Sequence, residues 1–413
     1  MCEASVAAQL FAIQGGRGLN IVIIGGGAAG LTAAIFAAAP EHTVTVLEQN
    51  DRPGRKLLAT GNGRCNLTNL DQRQECYRTS RPEKAAAILK QFPVSSAISF
   101  FTDLGIYTKN RDGWIYPNSD QASAVLSVLL MEAQHRKVKI KTRETVTGIA
   151  REENGTWTVH TRGWKYPADR VIVTTGSPAS EISGSCGDGI CFAEDLGIRT
   201  IPFAPALCPL KCSGADFQKW SGVRVDGKVT LLLDGIPVAS ERGELQLASY
   251  GISGIPVFQI SRYAVRALEE GAHVEAELDF FPDMEEEDLA ALLNRRMMLC
   301  TYKTREELLI GLLPDRLISA ALRDGTELDA IAHAVKCLRL TVRDSAGFSR
   351  AQVSSGGVDL AEVTETLEAR KYPGLYFAGE VLDVDGACGG YNLQWAWSSG
   401  AVAGASAAKE GDE

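Results

Sequence analysis

Gly25-Gly26-Gly27-Ala28-Ala29-Gly30 fits the spacing G-x-G-x-x-G, and Glu48 follows Gly30 after 18 residues. The chemistry this implies is capture of a dinucleotide. The first glycine permits a tight turn, the second lets backbone approach a pyrophosphate, and the third lets a helix pack on a strand. The anion then faces a helix N-terminus, where unpaired N–H groups and the helix dipole favour negative charge. Glu48, with Gln49 beside it, stands where an acid bonds a ribose diol. Arg52, Arg55 and Lys56 come next, placed to neutralise phosphate charge, with Leu57 behind them.

A second glycine-rich block lies near the other end. Tyr372–Phe377 is an apolar run leading to Ala378, Gly379 and Glu380. Asp383, Gly386 and Gly389-Gly390-Tyr391-Asn392 follow, then a helix-like stretch from Leu393 to Ala403. A nicotinamide dehydrogenase has no need of this second turn. A flavin does, because its ring lies far from its adenine and requires a separate platform. A helix N-terminus at Tyr391–Leu393 would stabilise the negative charge that a reduced flavin develops. The expected cofactor is therefore FAD.

The elements that must position these residues are legible as patterns. Asn20–Ile24, the glycine turn, an Ala-rich helix over Leu31–Ala39 and a strand over Thr43–Leu47 form a βαβ unit. Pro53–Asn69 reads as a glycine-punctuated basic loop. Helices are expected at Glu83–Gln91, Val94–Leu104 and Gln121–Arg136, and strands at Val138–Ile140, Thr145–Ala150, Thr156–Thr161 and Arg170–Thr175. Cys186–Gly197 predicts a glycine turn and a short helix. Ile198–Phe281 is β-rich, Met284–Leu338 is helical and charged, and glycine motifs return from Ala351. Glu285–Asp288 reads as a solvated helix start. The expected fold class is α/β: a Rossmann-like FAD-binding domain split in sequence, carrying an inserted β-rich, barrel-like unit and a small helical unit. The expected boundaries are 1–197 and 345–413 for the FAD-binding domain, 198–283 for the β-rich insert and 284–344 for the helical one.

Bulk properties exclude some classes. A chain of 413 residues with formal charge −9 is unsuited to a partner held mainly through phosphates, so no nucleic acid is expected. Ten cysteines include no C-x-x-C pair, and no metal site is expected. The closest pairs are Cys186/Cys191 and Cys208/Cys212, read as ordinary thiols. No apolar run reaches membrane-spanning length, and the first 20 residues lack a signal-peptide pattern, which predicts a cytoplasmic protein free of membranes.

The chain resembles the BaiN/YhiN-type family of FAD-dependent oxidoreductases, with a glutathione-reductase-like flavin fold. The matching segments are IIGGGAAGL, RPGRKLLATGNGRCNLTN (Arg52–Asn69), Gly187-Asp188-Gly189, VSSGGV (Val353–Val358) and GLYFAGEVLDVDGACGGYNLQWAWSSG (Gly374–Gly400). Cys186 departs from the family's usual Thr, and Cys388 departs in the final turn. The resemblance implies that Asn62, Gly63, Arg64, Cys65 and Asn66 lie beside the flavin. It places Val146 where backbone pairs with adenine, with Thr175 and Gly176 closing the same end. It also implies hydride transfer through flavin N5 and NAD(P)H-dependent reduction of a conjugated C=C bond in a steroid-like or bile-acid substrate. The GDG and Gly379-Glu380 blocks are similar to those of fumarate-reductase-like flavoproteins. Alternatives are an amine (aminoketone) oxidase and, from another class, a flavin-dependent regulator or RNA-modifying protein.

With one dinucleotide fingerprint, NAD(P)H must be a transient donor. The small-molecule site is expected where the insertion meets the ring. Cys65 lacks a resolving partner, and the five histidines fall outside the flavin-lining blocks. No catalytic residue is identified; Tyr391, Cys388, Asp385 and Arg64 are candidates because their turns approach the ring. Oligomeric state is left open.

Overall fold

A computed structural model describes residues 18–323 and 325–409, so the absence of a leader pattern before Gly18 lies outside the described residues. The chain divides into two compact units, one made of residues 1–203 and 353–413 and the other of 204–352.

The first unit is built on a five-stranded parallel sheet in the spatial order Leu375–Phe377, Arg170–Val173, Asn20–Ile24, Thr43–Glu48, Lys139–Thr142. The central strands are almost wholly buried, as expected where helices cover both faces of a parallel sheet. A three-stranded antiparallel meander, Val146–Arg151, Trp157–Thr161 and Lys165–Ala168, stands beside it. Its third strand and the hairpin Thr108–Arg111/Trp114–Pro117 were not evident as sequence patterns, because each is only four residues long.

The first helix runs Ala28–Ala37, so it starts inside the glycine motif rather than after it, and nearly all of its faces are buried. It packs against the helix Tyr391–Ala407. A Cβ on Gly400 would lie 2.5 Å from the Ala29 carbonyl oxygen, and one on Gly404 would lie 2.3 Å from that of Ala33. Both contacts are with backbone, which cannot swing aside. The loop read over Pro53–Asn69 contains a short helix, Arg55–Ala59, and a 3-10 turn, Thr60–Gly63.

The second unit is a closed antiparallel barrel of six strands in the order Leu210–Ser213, Gly251–Ser253, Ile236–Ala248, Arg224–Leu233, Val274–Asp279, Leu338–Ser345. Two corrections to the element pattern follow. Leu338–Ser345 sits where the helical segment was expected to run on, yet it is the strand that closes the barrel. Its alternating burial is the period-2 signal of a half-buried strand. Ile255–Glu269, inside the β-rich stretch, is a helix that starts at a proline and buries Val257, Ile260, Ala264 and Val265 at helical spacing. Helices Glu286–Leu299, Arg305–Leu309, Asp315–Ala321 and Leu328–Lys336 lie between the last two barrel strands in sequence. No helix among the described residues is long and apolar enough to cross a membrane.

The contact between the first and last helices gives a direct test. Gly404→Val should overpack it and lower stability by about 1–3 kcal/mol or more, read as a fall in urea midpoint. Ser406→Ala, on the same helix and half-buried, should leave the midpoint nearly unchanged. An unshifted midpoint in Gly404→Val would mean the helices are not this close.

Candidate functional site

Each glycine of the first motif faces a different constraint. Gly25 has φ +105°, where side chains are strained, and a Cβ there would sit 2.6 Å from the Thr174 carbonyl oxygen. Gly30 is excluded from bearing a side chain by the Gly25 carbonyl, 2.0 Å from its would-be Cβ. Gly27 differs from both. Its φ is −80°, it caps the helix Ala28–Ala37, and a Cβ on it would meet nothing within 4 Å. Neither backbone strain nor crowding by the protein requires glycine there. Ala28 and Ala29 form the first turn, which has no acidic residue and no side-chain cap. Its N–H groups are left for an anion.

Glu48 is buried at the end of its strand. Its Oε2 accepts from the Gly26 N–H at 2.9 Å, and its Oε1 accepts from Asn50 N and Nδ2 at 2.8 and 2.7 Å. Arg55 donates to Asn50 Oδ1 at 2.7 Å, so the acid, the glycine turn and the basic loop form one network. Gln49 donates to the Gly184 carbonyl at 2.7 Å. Lys56 pairs with Glu380 at 2.6 Å, and Glu380 Oε1 also accepts from Ser177 Oγ and Ser354 N. Leu57 is buried in the core. Gly379 fits against Ala29, whose Cβ would be 2.7 Å from a Cβ on that glycine.

The loop Thr60–Asn69 and the C-terminal turn are bonded directly, although their partners are 320 residues apart: Asn69 Nδ2 donates to the Gly389 carbonyl at 3.0 Å. Thr68 Oγ1 donates to Gln394 Oε1 at 2.7 Å. Gly390, with φ +99°, lets the chain turn against Thr68, whose carbonyl carbon would be 2.7 Å from a Cβ. Asn392 clamps the turn by accepting from Gly386 N at 2.7 Å and donating to its carbonyl at 2.9 Å. Leu393 packs on the core behind it. Asp383 is buried and accepts from Ser80 N and Oγ, so it fastens a neighbouring segment.

Asn66 lies in this junction, its Oδ1 3.0 Å from where a Gly390 Cβ would be. Its amide is buried, yet neither Oδ1 nor Nδ2 has a hydrogen-bond partner in the protein. Thr175 Oγ1 is in the same state, and Gly176 after it faces open space. Val146 opens the meander strand, paired with Thr161 beside a register shift. Asn62 and Gly63 form an exposed turn with positive φ, and Arg64 is exposed after it.

Cys65 is fully buried, and desolvation pushes its thiol up to about 12. Burial likewise raises Cys388 to about 11 and lifts the Tyr391 hydroxyl above the usual phenol range, with Cys76 adding to the latter. Tyr391 meets Tyr77 edge-on at 5.6 Å. Asp385 is fully buried, opposite Arg78 in a two-stranded ladder. Sequence patterns gave no hint of Gln394 or Ser399, which hold the platform from behind; Ser399 accepts from Gly379 N at 2.9 Å. A buried serine inside a helix has no distinguishing neighbours in sequence.

A thiol held protonated by burial is unreactive, so iodoacetamide at pH 8 should label exposed Cys191 and leave Cys65 unmodified in the folded protein. The raised value also ties Cys65 to stability. The unfolded thiol releases its proton near pH 9.0 while the folded one holds it to about 12, so its contribution is present below pH 9.0 and lost as pH rises. Between those limits wild type should lose stability more steeply than Cys65→Ala, by up to about 1.4 kcal/mol per pH unit. Parallel curves would contradict this.

Residues 19–406 match the HI0933-like protein Rossmann domain family. Over 406 residues the chain is 44% identical to the 3-dehydro-bile acid delta(4,6)-reductase of Clostridium scindens, covering 94% of this chain and 99% of that one. It is 30% identical to the ribosomal RNA dihydrouridine synthase of Escherichia coli over 402 residues, 92% of this chain and 96% of that one. A solved structure of 3-ketosteroid delta1-dehydrogenase from Sterolibacterium denitrificans shares the fold at TM-score 0.51 and 10% identity, covering 95% of this chain and all of that one. The chain belongs to the HI0933-like Rossmann-domain family.

Proposed function

We propose that this chain is an FAD-dependent oxidoreductase that uses NAD(P)H to reduce a conjugated C=C bond in a steroid-like enone. The observation that carries the cofactor is the state of the site's own atoms. Gly27 is glycine without a local reason. Asn66 and Thr175 bury polar atoms that the protein leaves unpaired, each at a cost of about 1–3 kcal/mol. A dinucleotide whose pyrophosphate meets Gly27 and whose two ends reach Thr175 and Asn66 accounts for all three.

In this reading the Ala28–Ala37 helix start binds the pyrophosphate. Glu48 and Gln49 serve the ribose, while Val146, Thr175 and Gly176 serve the adenine end. Asn62–Asn66 and Gly389–Leu393 bound the ring, with Glu380 fixed by Lys56 at the platform's edge. Bound FAD supplies hydride transfer through N5. With FAD bound, the N–H groups of Tyr391, Asn392 and Leu393 would favour negative charge at the end of the ring they face. Burial raises both the Tyr391 hydroxyl and the Cys388 thiol and so weakens them as acids, and the proton an enone takes up beside the hydride is left without an assigned donor among them.

The substrate class rests on 44% identity to a bile-acid reductase along nearly the whole chain. The name of the RNA-modifying relative also describes adding hydrogen across a C=C bond conjugated to a carbonyl, in a uracil base. The formal charge of −9 favours the small enone over a polyphosphate chain.

Purified protein should be yellow and release FAD on denaturation, and Gly27→Val should purify folded but colourless. Full FAD occupancy in that variant would refute the placement of the phosphate. Cys65→Ser should still bleach with NAD(P)H. In anaerobic stopped-flow experiments, protein reduced by one equivalent of NADH or NADPH should be reoxidised faster by a 3-oxo-Δ4 steroid acid than by air-saturated buffer. Reduction by an aminoketone but by neither nicotinamide would establish the oxidase instead.

A further inference from the structure

In the barrel unit, helices Glu286–Leu299 and Leu328–Lys336 pack together, and each carries metal-binding side chains to their junction. His333 and Cys337 are four residues apart, in the last turn of one helix and at its C-cap, so they project from one face. Glu286 starts the other helix. Its Oε2 and Oε1 lie 3.1 and 3.3 Å from His333 Nδ1. With the Cys337 sulfur, the three ligand atoms all fall within 4.8 Å of one another.

We propose that Glu286, His333 and Cys337 form a binding site for a zinc-class divalent cation, independent of the flavin chemistry. The donor set decides the class. Thiolate and imidazole select zinc over magnesium or calcium, which take oxygen ligands, and a carboxylate completes a mixed set that zinc accepts. The separations suit a single ion, since tetrahedral zinc with bonds of about 2.0–2.3 Å holds its ligands roughly 3.5 Å apart. The exposed His333 and half-exposed Glu286 side chains can close that difference by rotation. On binding, the His333–Glu286 hydrogen bond is exchanged for two metal–ligand bonds, and Cys337 gives up its thiol proton to solvent.

An open cleft of about 320 Å³ adjoins the site, lined by Glu285, Glu286, Glu287, Lys228, Lys336 and Cys337 among others, and admits a water as fourth ligand. The neighbouring carboxylates Glu277 and Asp279 are engaged by Arg339 and Lys336, at 2.9 Å each, which leaves Glu286 as the carboxylate that faces the imidazole. The ion would fasten two helices whose ligands stand 47 residues apart in sequence.

The test uses the FAD-loaded full chain, stripped with chelator and titrated with Co²⁺. Tetrahedral cobalt absorbs in the red, clear of oxidised flavin. The expected result is one Co²⁺ per chain with such a band, displaced by Zn²⁺, and a melting temperature that rises with zinc concentration. Cys337→Ser and His333→Gln should each abolish the band, while Cys300→Ser, a half-buried thiol elsewhere, should retain it. Flavin content and bleaching should be unchanged throughout and serve as the fold control. Should Cys337→Ser not fold, Glu286→Gln must weaken the band. No red band, or a band that survives Cys337→Ser and His333→Gln or is lost in Cys300→Ser, would overturn the proposal.

Discussion

The close approach of two helix backbones governs the nucleotide-binding unit. Gly400 and Gly404 let the last helix rest on the carbonyls of Ala29 and Ala33 in the first. The first motif opens one of these helices and the last motif opens the other. Fixing their contact therefore fixes the two N-termini, at which the positive ends of the helix dipoles act. Gly400 lies nine residues into its helix, so about 14 Å of helix separates the contact from the Tyr391 end. The two helix starts are thereby held at a fixed separation.

Polar ties then lock the loops to that frame. Thr68 and Asn69 bond the ATGNGRCNLTN loop to the C-terminal segment across most of the sequence, and Asn392 holds the turn there to itself. The network from Arg55 through Asn50 and Glu48 to the Gly26 N–H does the same at the other end. The Lys56–Glu380 pair is partly shielded and joins these two regions. Exposed pairs such as Arg73–Asp71 contribute little by comparison. The buried amide of Asn66 and the hydroxyl of Thr175 lie outside this bonding.

Both glycine motifs and the sheet strands were legible because local rules dictate them. A buried parallel strand is a continuous apolar run, and a phosphate turn needs glycine at fixed offsets. The barrel's presence was legible from short β-rich runs, but its closure was not. Strand Leu338–Ser345 follows a helix directly, and its pairing with Val274–Asp279 and Leu210–Ser213 is a long-range fact. Helix Ile255–Glu269 was hidden by the proline at its start. At the candidate site, the glycines could be named from type and spacing, and the GNGRCN turn from the family resemblance. Ser399 and Gln394 could not, since their importance comes from what they face. Glu286, His333 and Cys337 follow the same rule: His333 stood only among the five histidines outside the flavin-lining blocks, because its partner carboxylate comes from another helix.

The split of the nucleotide-binding unit around the barrel has a consequence for biogenesis. The strand Leu375–Phe377 and the helix Tyr391–Ala407 are made long after the helix Ala28–Ala37, yet the sheet edge and the packing partner of that first helix both depend on them. The barrel unit, whose strands all lie between Leu210 and Ser345, is complete in the growing chain well before its host. Until the helix Tyr391–Ala407 is made, the apolar helix Ala28–Ala37 lacks its cover. That interval leaves apolar helix surface in water while the barrel already has all its strands.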